Sequence, residues 1–520
     1  MTSQLTRRDF LKLTTALPLL PLAGKLSAHK SFPGEQRVPN VIVILYDTLA
    51  ALNLSLYGYP RPTSPNIERF AARSNVYHNH YSAANFTTPS TASLLTGTYP
   101  WTHRAYNING LVRRPVETNN AFRLLGQAYH NLAYSQNTFA DMLLYQFDTY
   151  IDQHKRMDSF ALASSVFYNK LFDNDGVAAL QSVDRFLFRR AEKHGSLFLS
   201  LFNDLNVLLR DRLLTQELSE SHPTGLPRLV STYMYFINSH VTDGLMGWLG
   251  DLNEPSFTYL HLMPPHAPYR PTKEFYGMFA DGWAPQKKER HPLSANISYK
   301  RNKELRQTYD EYIANMDHEF GRLFDFLDTS GLLDNSYVIL TSDHGEMFNR
   351  GVHAHSTPLL FQPLLRVPLV ISKPGQSQRV DINTPTSSID LLPTLLGIAG
   401  LPVPDLCEGQ RLPGIGGIET SGRSLFAVEA KTNAVHAPLS EATVALIKDH
   451  HKLIHYRGYK DYDNQYELYD LENDPEEVQN LYPDHPAAKL LREELDQKLH
   501  EVNQTEFEAR SASIGRPLCL

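Results

Sequence analysis

The sequence predicts an α/β protein: a large, mainly parallel sheet flanked by helices, followed by a small carboxyl-terminal subdomain on an antiparallel sheet. Three observations carry this. Two stretches, residues 39–48 and 337–346, hold continuous apolar runs with the pattern of strands buried on both faces, and each run gives way to an acid, Asp47 or Asp343. Between them, strand-like runs alternate with helical periodicity, the order that parallel strands need for their crossovers. Beyond a Pro- and Gly-rich break at about 402–440, short strand-like runs follow one another without an intervening helix.

Residues 1–28 read as a leader. Thr6-Arg7-Arg8-Asp9-Phe10-Leu11-Lys12 matches the twin-arginine pattern, a weakly apolar run follows at 13–24, and Ala28 suits a cleavage site. That run is short of the about 20 residues a membrane span needs, and no later segment is long and apolar enough. The expectation is therefore a mature chain passed by the twin-arginine export machinery to the periplasm or the outside, with no transmembrane segment. Residues 38–405 read as the main domain. Within it, 87–97 reads as a helix, with Pro89 suited to its first turn and Gly97 to its end. A helical, aromatic-rich insertion at about 150–250, with apolar stretches at 197–202 and 233–236, reads either as a cap over the substrate pocket or as structural padding. Residues 256–263 and 369–372 are further strands. Over 302–328, Leu305, Tyr309, Tyr312, Met316, Phe320, Leu323 and Leu327 recur at steps of three and four, which marks one buried helix face. The subdomain at 440–505 has antiparallel strands at 443–447, 452–456 and 466–471 and a charged helix at 486–502; residues 506–520 read as a loose tail.

Composition narrows the partners. With 520 residues, 42% of them hydrophobic and 20% charged, the chain can bury a sizeable core and exceeds the usual size of one domain. The leader holds four basic residues and one acidic, so without it the formal net charge falls from -7 to -10. An acidic chain with no sustained basic stripe is not a nucleic-acid binder; the clusters at Arg185, Arg189 and Arg190 and at Lys287-Lys288-Glu289-Arg290 read as solvated faces. Cys407 and Cys519 follow no disulfide spacing and read as free thiols.

The chemistry centres on Thr87-Thr88-Pro89-Ser90-Thr91-Ala92-Ser93-Leu94-Leu95-Thr96-Gly97. A helix start leaves backbone N–H groups unpaired and concentrates positive potential, so it would hold a phosphate or sulfate oxyanion beside the Thr87 hydroxyl. The competing reading is a plain capped helix whose hydroxyls satisfy its own amides. Two buried strands that deliver Asp47 and Asp343-His344 to their carboxyl ends favour the site, because open parallel sheets place ligands where their strands stop.

These stretches resemble the sulfatase branch of the alkaline phosphatase superfamily over most of residues 38–482. The family signature runs Cys or Ser, any residue, Pro, Ser, Arg, any residue, Ser, Leu-Leu-Thr-Gly, and Thr87 stands at its first position. The resemblance implies an alkaline-phosphatase-like sandwich. It places Asp47 as the first metal-binding Asp, Asp343 and His344 as the downstream metal pair, and His266, in Pro264-Pro265-His266-Ala267-Pro268, as a substrate-binding His. Arg366-Val367-Pro368-Leu369-Val370-Ile371, Asp390-Leu391-Leu392-Pro393-Thr394-Leu395-Leu396 and Tyr469-Asp470-Leu471-Glu472-Asn473-Asp474-Pro475 are also similar to family stretches.

Departures from the pattern bear on the reaction. In sulfatases the nucleophile position is oxidised to formylglycine, an aldehyde that Thr cannot yield, so Thr87 is expected to act as an unmodified, metal-activated hydroxyl. Thr91 replaces the signature Arg and leaves the anion site less positive. Thr48 stands where the family has a second Asp, with His353, His355 and His266 as candidates to fill the gap or hold phosphate. Asp47, Asp343, the Thr87 oxygen and the His344 nitrogen make a mixed set of about four ligands for one divalent metal, suiting Zn or Mn better than Ca. The expected reaction is in-line displacement on a phosphate ester, a diester by preference, of a small-molecule, lipid or glycan alcohol. In it Thr87 attacks, His266 steadies the equatorial oxygens and His355 protonates the leaving group, and water or a second alcohol completes hydrolysis or transfer. The alternatives are a sulfuric ester hydrolase that works without formylglycine, and a non-catalytic binder of an anionic ligand.

Overall fold

A computed structural model describes residues 38–162, 212–214, 216–228, 234–252 and 255–514, with the side chains of 505–514 left aside. The leader, most of the 150–250 insertion, the end of the tail and Cys519 lie outside the described residues. The order of the large sheet is β5 (Gln153–Lys155), β4 (His130–Ser135), β6 (Ser256–Leu262), β1 (Asn40–Tyr46), β7 (Ser336–Thr341), β8 (Leu369–Ser372), β2 (Asn75–Tyr77) and β9 (Val380–Ile382). Every pair from β5 to β7 is parallel, whereas β8 runs antiparallel to both of its neighbours. A two-stranded pair joins β3 (His80–Tyr81) to β10 (Thr386–Ser387).

The apolar runs fold as their composition demands. Every residue of β1 is buried, since helices cover both faces of the sheet. Alternate residues feed separate cores: Ile42 and Ile44 pack with the long helix, Val41, Val43 and Leu45 with the other side. The 302–328 stripe lies inside a helix spanning Tyr299–Thr329, with all but Leu305 of the seven named positions fully buried. The site depends on register. In β4, β6, β1 and β7, Ser135 faces His261, His261 faces Leu45 and Leu45 faces Thr341, so four neighbouring carboxyl ends finish level with one another.

The carboxyl-terminal sheet consists of β11 (Ser424–Glu429), β12 (Ala442–Lys448), β13 (His451–Arg457) and β14 (Gln465–Asp470), all antiparallel. It begins at Ser424 rather than near 440, inside the stretch expected as a linker. The Gly and Pro breaks stop at Gly422, and Leu425, Phe426, Ala427 and Val428 then alternate between the two faces of the sheet. One face packs on a helix over Pro486–Ile514, the other on Leu359, Leu360, Phe361 and Leu364. Both faces are thus covered, which makes the subdomain part of the main body. No helix among the described residues is long and apolar enough to cross a membrane.

Candidate active site

Thr87 opens helix α1 (Thr87–Thr96), whose N-cap is Phe86 and whose start receives no side-chain cap. The hydroxyl is therefore not spent on its own helix. Gly97 ends α1 at a φ of 64°, and a Cβ there would sit 3.1 Å from Cys407 Sγ, so turn and packing both call for glycine. The ends of β1 and β7 are tied together: Thr48 N donates to Asp343 Oδ1 at 3.2 Å and Leu49 N to Ser342 Oγ at 2.9 Å. Thr48 takes a positive φ of 62°, and its carbonyl accepts the Tyr309 hydroxyl of the long helix at 2.6 Å. Gly345 lets the chain pass the Pro363 carbonyl, which a Cβ would strike.

Asp47, Asp343 and His344 meet where these strands stop, all fully buried, with one ligand atom from each within 4.8 Å of the others. Thr87 Oγ1 lies 3.5 Å from His344 Nε2. His344 Nδ1 donates to the Gly345 carbonyl at 2.9 Å, which fixes the tautomer and turns the Nε2 lone pair inward. Two further side chains complete the ring. His261 Nε2 is 3.5 Å from Asp47 Oδ2 and 3.9 Å from Asp343 Oδ2, and its Nδ1 pairs with Tyr259 at 3.1 Å. The Asn137 amide donates to Asp47 Oδ2 and, at 3.2 Å, to Thr87 Oγ1, while its carbonyl caps the helix α2 (Thr138–Gln146).

Electrostatics favour a cation here. Asp47 Oδ1, Asp343 Oδ2 and His261 Nε2 are buried without a hydrogen-bond partner among the described residues, a costly arrangement unless an ion satisfies them. Burial resists ionisation at Asp47, yet His266, His261 and His344 hold its carboxyl below the usual carboxylate range. Asp343 is pushed up, first by burial and then by the Asp47 charge. Two carboxylates with two imidazoles form the oxygen and nitrogen donor set that one divalent ion accepts.

A second group faces this centre. His355 Nδ1 donates to Glu346 at 2.8 Å, and the His355 ring lies 4.5 Å from His344 and 5.0 Å from His266, centroid to centroid. Glu346 is wholly buried and also accepts the Tyr269 hydroxyl at 2.5 Å. Burial opposes charge on His266, but Asp47 and Glu346 raise its pKa, whereas burial and the His266 charge keep His355 below its ordinary value. His353 turns to the Tyr269 hydroxyl at 3.1 Å, behind Glu346. His261 also stands beside the two carboxylates, near the place where Thr48 leaves a gap.

A family model described as Sulfatase matches residues 39–401. The chain belongs to the sulfatase family. A second model, described as N-sulphoglucosamine sulphohydrolase, C-terminal, matches residues 355–505. The ulvan-active sulfatase of Formosa agariphila is 26% identical over 387 residues, which cover 73% of this chain and 65% of that protein. The multifunctional alkaline phosphatase superfamily protein PehA of Trinickia caryophylli is 24% identical, over 87% of this chain and 92% of its own. Among solved structures, the phosphonate monoester hydrolase of Silicibacter pomeroyi superposes with a TM-score of 0.61 at 20% identity, covering 89% of this chain and 95% of its own. BT4656, solved with D-glucosamine-2-N,6-O-disulfate, gives 0.63 at 17%, over 91% and 99%. These likenesses establish the alkaline-phosphatase-like fold of this sulfatase-family hydrolase.

Within the family frame, Asp47, Thr87, Asp343 and His344 come together, and His266 and His355 lie beside them. Sequence reasoning missed His261, Asn137 and Glu346. A His in the apolar run 256–262 is a signal that could have been used. Asn137 gives only the ordinary sign of a helix cap. Thr91, in place of the family Arg, lies next to Tyr259, the residue that holds His261.

Proposed function

We propose that this sulfatase-family hydrolase cleaves or transfers phosphate esters, diesters by preference, with Thr87 as the attacking group. The observation that carries the reading is Thr87 itself: an uncapped hydroxyl at a helix mouth, bonded by Asn137 and 3.5 Å from His344, which is grouped with Asp47, Asp343 and His261. Those four residues would hold one divalent cation, Zn or Mn by donor type, which when bound supplies positive charge to the ester oxygens and lowers the proton affinity of a nearby hydroxyl. Thr87 Oγ1 gives up its proton to water and forms the new bond to phosphorus as the bond to the alcohol breaks; water or a second alcohol then takes the phosphoryl group from Thr87, which restores its hydroxyl. The amide of Asn137 supports charge on Oγ1, and the free amides at the start of α1 favour an anion in front of them. The departing alcohol takes its proton from the His266 and His355 pair, which Glu346 orients.

A second reading, hydrolysis of sulfate esters, draws on the family match and on sulfatase relatives such as the Formosa agariphila protein. Threonine cannot supply the aldehyde hydrate of that chemistry, which ranks phosphorus first. The deciding assay compares a nitrophenyl phosphate diester, monoester and sulfate on metal-loaded protein. Phosphate turnover above sulfate, lost in Thr87→Ala with metal content unchanged and accompanied by a trapped phosphothreonine in the wild type, is the expected result; sulfate turnover above phosphate reverses the ranking. We also propose export through the twin-arginine route, on the strength of Thr6–Lys12. Its check is whether Arg7→Lys combined with Arg8→Lys retains the protein in the cytoplasm.

A further inference from the structure

The loop after β11 brings one more charge to this site. Lys431 is half-buried, and its ammonium lies 4.2 Å from the centre of the Phe86 ring, the residue immediately before Thr87. Its backbone is pinned from both sides. Lys431 N donates to Glu429 Oε1 at 3.1 Å, and Asn107 Nδ2 donates to the Lys431 carbonyl at 2.8 Å and to that of Asn433 at 3.1 Å. Glu429 acts on the Lys431 charge without touching Nζ: its oxygens take that N–H and the Tyr459 hydroxyl at 2.9 Å, and burial favours its neutral form. Among the described residues Lys431 Nζ makes no ion pair and no hydrogen bond; the Phe86 ring is its partner. Burial lowers the Lys431 pKa, and its charge reaches His355 inside the site.

An ammonium held against an aromatic face, short of water and with no acid in direct contact, gains when an anion comes against it. Thr91 leaves the floor of the site without the family Arg, so the cation at the rim has no duplicate below. We propose that Lys431 is a subsite for a second anionic group on the substrate, beside the ester that Thr87 faces. The substrate class is thus an ester of an alcohol that itself bears a carboxylate, sulfate or phosphate. This rests on the reading of Thr87 as the reacting centre. The subsite comes from the carboxyl-terminal sheet, so the subdomain takes part in choosing the substrate.

The test uses two methyl nitrophenyl phosphate diesters that differ only in a ring carboxylate or its methyl ester. Metal-loaded wild type, Lys431→Met, which keeps the stem against Phe86, and Lys431→Arg are compared. Loss of one charge-assisted contact should raise KM for the carboxylate probe roughly tenfold to a hundredfold in Lys431→Met, with kcat changed by less than about threefold. The esterified probe should stay within about threefold on both parameters, and Lys431→Arg should recover most of the loss. Equal losses on both probes, or none on either, overturn the proposal. Calorimetric binding of the same probes in a Thr87→Ala background, with and without Lys431→Met, separates the two ideas. Turnover that survives Thr87→Ala removes the nucleophile. A carboxylate-dependent loss of affinity when Lys431→Met is added to that background still sustains the subsite, and its absence removes it.

Discussion

At the scale of single residues, the centre depends on side chains that hold other side chains. Tyr259 bonds His261 Nδ1 at 3.1 Å and so aims Nε2 at the two carboxylates. Outer partners of this kind are worth about 10- to 100-fold in metal affinity, so Tyr259→Phe should weaken metal retention by that order while leaving the fold intact. Competition with a coloured chelator measures it, and unchanged affinity would mean that His261 is not a ligand. His261→Ala should lower affinity further and destabilise the chelator-treated protein less than the loaded one, because a bound ion stabilises only the folded form that assembles its site. Asp47, Thr87, Asp343 and His344 were legible because each sits in a stretch with local meaning, a strand end or a helix mouth. His261 and Asn137 were not, because their importance arises from β6 lying between β4 and β1, pairings between residues over a hundred positions apart that local sequence does not express.

At the scale of elements, the short edge strand β5 is fastened to α2 by one imidazole. His154 bonds Asp148 at 2.8 Å and Asp141 at 3.2 Å and is 8% exposed. Burial opposes its charge, but the two carboxylates raise its pKa to about 9. The folded value lies above the unfolded one near 6.5, so the contribution is complete below about pH 6.5 and disappears as pH rises through about 9. Burial also disfavours the Asp141 charge, which offsets part of the gain, and about 1–2 kcal/mol remains. Urea unfolding at the two ends of that window should show this loss in the wild type and not in His154→Gln; a parallel decline in both would place the effect elsewhere. Helical period and buried-strand runs carried most elements across from sequence to structure, as the Tyr299–Thr329 helix shows. β11 escaped because Gly and Pro just before it outweighed a six-residue run whose alternation has meaning only once both faces of its sheet are covered.

At the scale of the whole molecule, the two sheets are joined through charge as well as apolar packing. Lys452 of β13 is fully buried, pairs with the buried Glu477 and donates to the Leu360 carbonyl at 2.9 Å. Glu477 in turn accepts Gln362 N at 2.7 Å. Removing one partner leaves the other buried and uncompensated, so Lys452→Met should cost about 3–5 kcal/mol. Because the loop after β11 also sets Lys431 against Phe86, next to Thr87 in the chain, loss of activity and unfolding of the sheet should coincide in urea. Separate transitions would show that the lobes unfold independently.

By itself the sequence determined which segments become buried strands, where each ends in a polar residue, and that a hydroxyl rather than an oxidisable thiol or primary alcohol stands at position 87. These are local properties, set by side-chain chemistry and period. Only the tertiary structure decided which strand ends are neighbours, and with that the joining of His261, Asn137 and Glu346 to the centre and the place of Lys431 against Phe86. The reason is that strand order is settled by long-range pairing and packing, in which the energy lies between segments and is written in neither one alone.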